Sequence, residues 1–351
     1  MQDIELEQAI DLLLAHAASV RETERVSLLD AVGRTAAEEV RAGFDNPPFD
    51  RSPLDGYTFA AASTRAASAE HPVRLHVIGE ECAGDFFAGT VGAGECVRIM
   101  TGGAIPAGCD CVVRQEDVRE DGDAIHVSFP SEPYENYCCA GEDIKKGTLL
   151  IQKGQVITAA HIAVLASEGY GDVSVYRRVR AAVASTGDEL LQPGEPLQPG
   201  KIYNSNLYLL AGRLKELGAE VTVLGSVPDD VERAAEVIAS YADRVDLFLT
   251  SGGVSVGKKD IMHGVVPALG AERLFWRVCM KPGAPAIAYT RGAMLGIALS
   301  GNPFAAYATF ELMARPVLAR LSGRSEVLPV RRRAVLADAF PKDCPGRRFL
   351  R

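Results

Sequence analysis

Residues 250–260 read TSGGVSVGKKD. The apolar run DLFL precedes them and KDIMHGVVPAL, patterned as a helix, follows, so the stretch is a strand-to-helix turn. It nearly fits two unrelated catalytic signatures. Counted from Gly252 it is G-x-x-x-x-G-K, a phosphate loop. Lys259, which cannot coordinate a cation, stands after Lys258 where a Ser or Thr should hold Mg²⁺. Counted from Gly253 it is G-x-S-x-G, a nucleophile elbow centred on Ser255. The only histidine after that serine is His263, in the helix that follows, so the order Ser–Asp–His cannot be assembled. What survives is a glycine turn offering backbone N–H groups to an anion at a helix N-terminus, with the Asp260 carboxylate beside it.

Working outward, strands and helices alternate from about 178 to 322 at the spacing of a doubly wound parallel sheet. VRAAVAS, EVTVLGSV, DLFLTS, RLFWRVCM and MLGIALS are the strands. NSNLYLLAGRLKELG, capped by Asn204 or Ser205, and PDDVERAAEVIASYAD, capped by Asp229 or Asp230, are helices, and NPFAAYATFELMARPVLARL is a long third one. Ligands of such sheets bind at the carboxyl ends of the strands. The loops there carry Ser185, Thr186, Gly187, Asp188 and Glu189 in STGDEL, then Asp229 and Asp230. Further on come Ser251, Gly252, Gly253, Ser255, Gly257 and Asp260, with Lys281 in KPG, and Gly301 and Asn302 in SGNP. Several carboxylates beside an anion site require a cation between them, which points to Mg²⁺-dependent chemistry at a phosphate or pyrophosphate. Taken singly, each Asp reads as a helix cap and each Gly as a turn residue; their shared edge favours the site.

The 351 residues suffice for roughly two or three domains. Residues 1–45, with 146–177, read as a helical and mixed dimer-forming domain. Residues 46–145 are an inserted β-rich one with strands such as VRLHVIGE and CDCVVRQED. Residues 178–322 are the α/β domain, and 323–351 begin a further β-barrel that is incomplete. PVRRRAVLADAF reads as one of its strands. The expected fold is thus α/β plus β-rich, an elongated multi-domain chain. A net charge of -9 argues against nucleic acid. No apolar run approaches the ~20 residues of a membrane helix and no charged leader opens the chain, so a cytoplasmic protein is expected. The eight cysteines form no C-x-x-C and none has a histidine at ligand spacing, which favours reduced thiols over zinc. Trp276, the single tryptophan, reads as core.

STGDEL, TSGGVSVGKKD and SGNP resemble the molybdopterin-binding domain of molybdopterin adenylyltransferases, molybdopterin molybdenumtransferases and the gephyrin E domain. FDRSPLDGY (49–57), RIMTGGAIPAGCDCVVRQED (98–117) and GEDI (141–144) narrow the resemblance to the molybdenumtransferase and gephyrin-E branch. That resemblance implies molybdate insertion into adenylated molybdopterin with release of AMP, in a homodimer whose site lies between one subunit's α/β domain and the partner's β-rich domain. Asp55 and Thr101 would come from the partner subunit. Glu189, Asp229 or Asp230, and Asp260 would hold Mg²⁺, while Arg277 and Lys281 would meet oxyanions. The molybdopterin adenylyltransferase of the preceding step is a further expected partner.

The chain departs from the family pattern at Cys138 or Cys139, which replaces an Arg before GEDI. Ala284 replaces a Lys in KPGAP, Ser300 replaces the Pro of PGNP, and Arg277 stands where Lys is usual. Losing cations from an anion site leaves two alternatives beside the transferase. One is a molybdopterin-binding or scaffold protein without turnover. The other is an adenylyltransferase, whose family resembles only residues 178–322.

Overall fold

The computed structural model describes residues 2–257, 260–335, 337–338 and 347–350; Lys258, Lys259 and Cys344 lie outside them. The chain packs into two compact units: residues 1–39, 151–163 and 171–351 in one, 40–150 and 164–170 in the other.

The first unit is organised by a seven-stranded sheet in the order Gln2–Ile4, Glu272–Val278, Ile287–Arg291, Met294–Leu299, Leu247–Ser251, Arg180–Thr186, Glu220–Val227. Leu247–Ser251 pairs in parallel with both Arg180–Thr186 and Met294–Leu299. Apart from exposed Arg180 these strands are buried, as their mainly apolar sequences require when both faces are covered. Ile287–Arg291 runs antiparallel to both neighbours, so the sheet is mixed where the sequence rhythm suggested parallel strands alone. The cause is local: a two-residue turn at Gly292 (φ +58°) joins this strand to Met294–Leu299, too short for a parallel crossover.

Three expectations for the ends of the chain meet a different arrangement. Gln2–Ile4 forms a strand parallel to Glu272–Val278, and helix Leu6–His16 buries Leu6, Ala9, Ile10 and Leu13 in the core of the α/β unit. The expected long helix after SGNP divides into Pro303–Thr309, a π-helical turn Phe310–Ala314 and Arg315–Leu321. Pro316 explains the break, because it cannot donate to the carbonyl one turn back and its ring crowds that carbonyl. The described residues of PVRRRAVLADAF form no strand; residues 331–335 are exposed, with Arg331 3.5 Å from the Glu7 carboxylate.

The second unit is a six-stranded sheet in the order Cys111–Arg114, Gly56–Phe59, Glu95–Ile99, Val73–Glu81, Ala124–Val127, Arg119–Asp121. All pairs are antiparallel except Val73–Glu81 with Glu95–Ile99. Its core gathers Tyr57, Phe59, Leu75, Cys96, Cys111, Val113, Ile125 and Val127. Burial pushes the Cys96 and Cys111 thiols up to about 12, so both stay protonated and inert.

Candidate functional site

At the carboxyl ends of Arg180–Thr186, Leu247–Ser251 and Met294–Leu299 the chain encloses a cavity of about 310 Å³. Its wall contains Ser185, Thr186, Gly187 and Glu189 from the first loop and Asp229 from the second. Ser251, Gly252, Gly253, Ser255 and Asp260 come from the third, and Gly301 from the fourth. Parallel register explains why segments far apart in sequence converge: Ser185 pairs with Ser251, and Ser251 with Leu299, so the three chains leave the sheet side by side. Gly252 has φ +102°, and a Cβ there would lie 2.6 Å from the Thr186 carbonyl oxygen. The turn therefore excludes any side chain at that position. Gly187, at φ +139°, holds a backbone conformation that strains any side chain, although a Cβ there would meet only the movable Glu189 carboxylate.

The anion cradle differs from the simple expectation that the glycine N–H groups face outward. The Gly252 N–H donates to Leu299 O at 2.9 Å, and the Gly257 N–H to Asp260 Oδ2 at 2.5 Å. Asp260 is thus tied to Gly257 while it stays in the cavity wall.

The two neighbouring aspartates part company. Asp230 caps helix Val231–Tyr241 by accepting the Arg233 N–H at 2.9 Å, whereas half-buried Asp229 lines the cavity. Asp188 adjoins it, donating its N–H to Asp229 Oδ2 at 3.3 Å. Asn302 caps helix Pro303–Thr309 through the Ala305 N–H, beside the wall rather than in it. Arg277 and Lys281 are not in the wall either. Arg277 pairs with Asp3 at 3.1 Å and lies 5.8 Å from the Trp276 ring, while exposed Lys281 accepts the Phe349 N–H at its carbonyl.

Asp55 and Thr101 belong to the other unit, where the structure joins them to each other. Gly56 pairs with Ile99 across the sheet, which sets the residues just outside that pair together. Asp55 Oδ1 accepts both the N–H and the hydroxyl of Thr101, each at 2.7 Å. These two donors hold the Asp55 carboxyl below the usual carboxylate range. Four residues before Asp55, Arg51 exchanges backbone hydrogen bonds with Cys138, and its guanidinium lies 3.7 Å from Asp143.

Sequence reasoning missed part of the wall: Leu190, Ile202, Tyr203, Asn206, Val254, Ser300 and Pro303. Asn204 was visible as a helix cap, and it does accept the Leu207 N–H; nothing in the pattern showed that Asn206, one step into the helix, turns inward. Asn206 donates to Ser251 Oγ at 2.9 Å and Gly301 O at 2.8 Å, tying helix and turns into one floor. The elbow reading of Ser255 fails in space as in sequence. His263 Nε2 lies 3.0 Å from the Ser255 backbone oxygen, and its ring packs edge-on against Trp276. Trp276 is half-buried against the apolar core, as expected, with its N–H donated to Val254 O.

Crossover loops that deliver small residues and carboxylates to the switch point of an open sheet are how a doubly wound α/β domain holds a phosphorylated or similarly charged ligand. Residues 182–320, which contain this cavity, match the family described as a probable molybdopterin binding domain, and residues 4–169 match the MoeA N-terminal region (domain I and II). The chain belongs to the molybdopterin molybdenumtransferase family. It is 37% identical over 342 residues to the molybdopterin molybdenumtransferase of Bacillus subtilis, covering 96% of this chain and 80% of that protein. It is also 37% identical over 327 residues to the one from Staphylococcus aureus, covering 93% and 78%. Among solved structures, a molybdopterin biosynthesis MoeA protein from Pyrococcus horikoshii superposes with a TM-score of 0.83 at 33% identity, covering 92% of this chain and 81% of that one. No helix among the described residues is long and apolar enough to cross a membrane.

Proposed function

We propose that this protein carries out the last step of molybdenum cofactor biosynthesis, inserting molybdate into adenylated molybdopterin with cleavage of the pyrophosphate bond and release of AMP. The observation that carries this reading is the single cavity in which the glycine turns at 252–253 and 301 meet the carboxylates Glu189, Asp229 and Asp260. Three carboxylates are hard oxygen donors and suit Mg²⁺, which is bound by one or two carboxylates together with substrate phosphates and water. Among the described residues no three His, Cys, Asp or Glu side chains form a metal cluster by themselves. Glu189, Asp229 and Asp260 are the residues that would hold Mg²⁺. When bound, Mg²⁺ would screen the pyrophosphate from these carboxylates and polarise the bond to be broken.

The chain's own residues then position the substrate. Asn206 and Ser251 fix the turn at Gly301 against the turn at Gly252, so the floor on which the substrate rests is rigid before binding. Asp55, ionised at neutral pH and locked to Thr101, is a positioned acceptor in the β-rich unit. In this reading the protein acts as a cytoplasmic homodimer, with the Asp55–Thr101 pair serving the partner's cavity. A molybdopterin adenylyltransferase would supply its substrate.

The pairing of Arg277 with Asp3 and the absence of Lys281 from the described cavity wall favour one second reading, a pocket that binds molybdopterin without turnover. Measuring AMP release from adenylated molybdopterin with Mg²⁺, with and without molybdate, separates the two. Molybdate-dependent release is the expected result. Tight binding with no release under either condition overturns the transferase in favour of the second reading.

A further inference from the structure

Large apolar side chains left open to solvent are unremarkable singly, but two neighbours that face one cavity call for a reason. Ile202 is 58% and Tyr203 42% exposed, and both line the cavity. They are not on a loose loop. Leu190–Leu191 pairs in parallel with Ile202–Tyr203, through Ile202 N–H to Glu189 O and Asn204 N–H to Leu191 O, both 2.9 Å. The intervening excursion, which contains both LQPG turns, is tied back by the Tyr203 hydroxyl, which donates to Glu195 O at 2.9 Å. The phenol is therefore fixed at both ends, and Tyr203 remains part-exposed where it lines the cavity. Trp276, the other aromatic candidate, is already committed to Val254, His263 and the core.

We propose that Tyr203, flanked by Ile202, is the platform on which a flat heteroaromatic ring of the substrate stacks. The proposal rests on the cavity being the substrate pocket. Stacking on a fixed aromatic face uses area that is costly to leave in water and loses little side-chain freedom on binding. The wall behind the platform suits a heterocycle. Asn204 is 1% and Asn206 9% exposed, yet Asn204 Nδ2 and Asn206 Oδ1 have no protein partner. Their amides cannot be flipped to pair elsewhere: Asn204 Oδ1 accepts the Leu207 N–H, and Asn206 Nδ2 donates to the Gly301 carbonyl. One donor and one acceptor of the cavity-lining residues are thus left without a protein partner. Both are closed to water in this form, so a ring edge reaches them only as the wall yields.

Adenylated molybdopterin has two such rings, a pterin and an adenine, and the test assigns which one stacks. The probes are a soluble fluorescent pterin, followed by quenching, and AMP, followed by calorimetry. Tyr203→Phe keeps the ring and loses only the tether to Glu195, and should bind within about twofold of the parent. Tyr203→Ala should weaken one probe about tenfold or more, and Ile202→Thr the same probe by less. Loss confined to the pterin assigns the platform to the pterin ring; loss confined to AMP assigns it to adenine. In turnover, Tyr203→Ala should raise KM with kcat little changed, as uniform binding requires. Parent-like binding of both probes by Tyr203→Ala overturns the platform, and molybdate-dependent AMP release by the parent protein would leave the proposed function standing. Failure of the parent to bind either probe overturns the platform as well, and absence of turnover alongside it would remove the substrate pocket too.

Discussion

The cavity of the α/β unit and the Asp55–Thr101 pair of the β-rich unit bring polar groups together in opposite ways. The cavity is assembled from backbone. Three adjacent parallel strands end in register, and its shape comes from turns such as the one at Gly252 that admit no side chain. The pair is assembled from two side chains and one amide at the end of an antiparallel ladder, with nothing else required beyond Gly56 facing Ile99. A backbone-built site should tolerate changes among its exposed side chains and fail when a turn is altered. A site built from side chains should respond to the loss of a single atom without disturbing the fold.

The sharpest way to break this contrast is Asp260→Ala. Asp260 both accepts the Gly257 N–H and offers the cavity a carboxylate, so molybdate-dependent AMP release should fall about 100-fold or more. Full activity would show that this carboxylate has no part in the chemistry. Next in size is Gly252→Ala, where the added Cβ meets backbone at 2.6 Å in a left-handed conformation. A loss of about 2–4 kcal/mol in urea unfolding is expected; an unchanged midpoint would mean the turn is softer than the geometry implies.

In the β-rich unit, Asp55→Asn should leave the unfolding midpoint nearly unchanged yet speed hydrogen exchange at the Thr101 amide. The pH dependence has a definite sign. Because the folded carboxyl lies below its unfolded value of about 3.9, its contribution is present above that value and is lost as pH falls through the lower folded pKa. Protection of the Thr101 amide should therefore persist at pH 5 and disappear only in stronger acid. The smallest effect concerns thiols. In the native protein at pH 8, exposed Cys139 should be alkylated while buried Cys96 and Cys111, with pKa values near 12, stay unmodified by mass spectrometry. Labelling of the buried pair would show that the six-stranded sheet opens readily.

The α/β unit was legible because its information is local. Apolar runs, the capping Asn204 and the glycines of TSGGVSVG each act within a few residues, so strands, helices and their turns can be read directly from the chain. The family resemblance likewise rested on short motifs kept in order. Legibility stopped where distant residues compete for the same partner. Whether Asp229 or Asp230 faces the cavity depended on which one captured the Arg233 N–H, and Arg277 was drawn to Asp3 by a strand that the N-terminal residues add to the sheet.

By itself, then, the sequence determined most strands of the α/β unit, the places of its glycine turns and the family, since propensity and backbone freedom are properties of neighbouring residues. Only the tertiary structure decided that Asn206 and Tyr203 join the cavity wall and that the Gly252 N–H is spent on Leu299. The reason is physical: orientation and hydrogen-bond satisfaction are settled by whatever packs alongside, which can be some fifty to a hundred residues away in the chain.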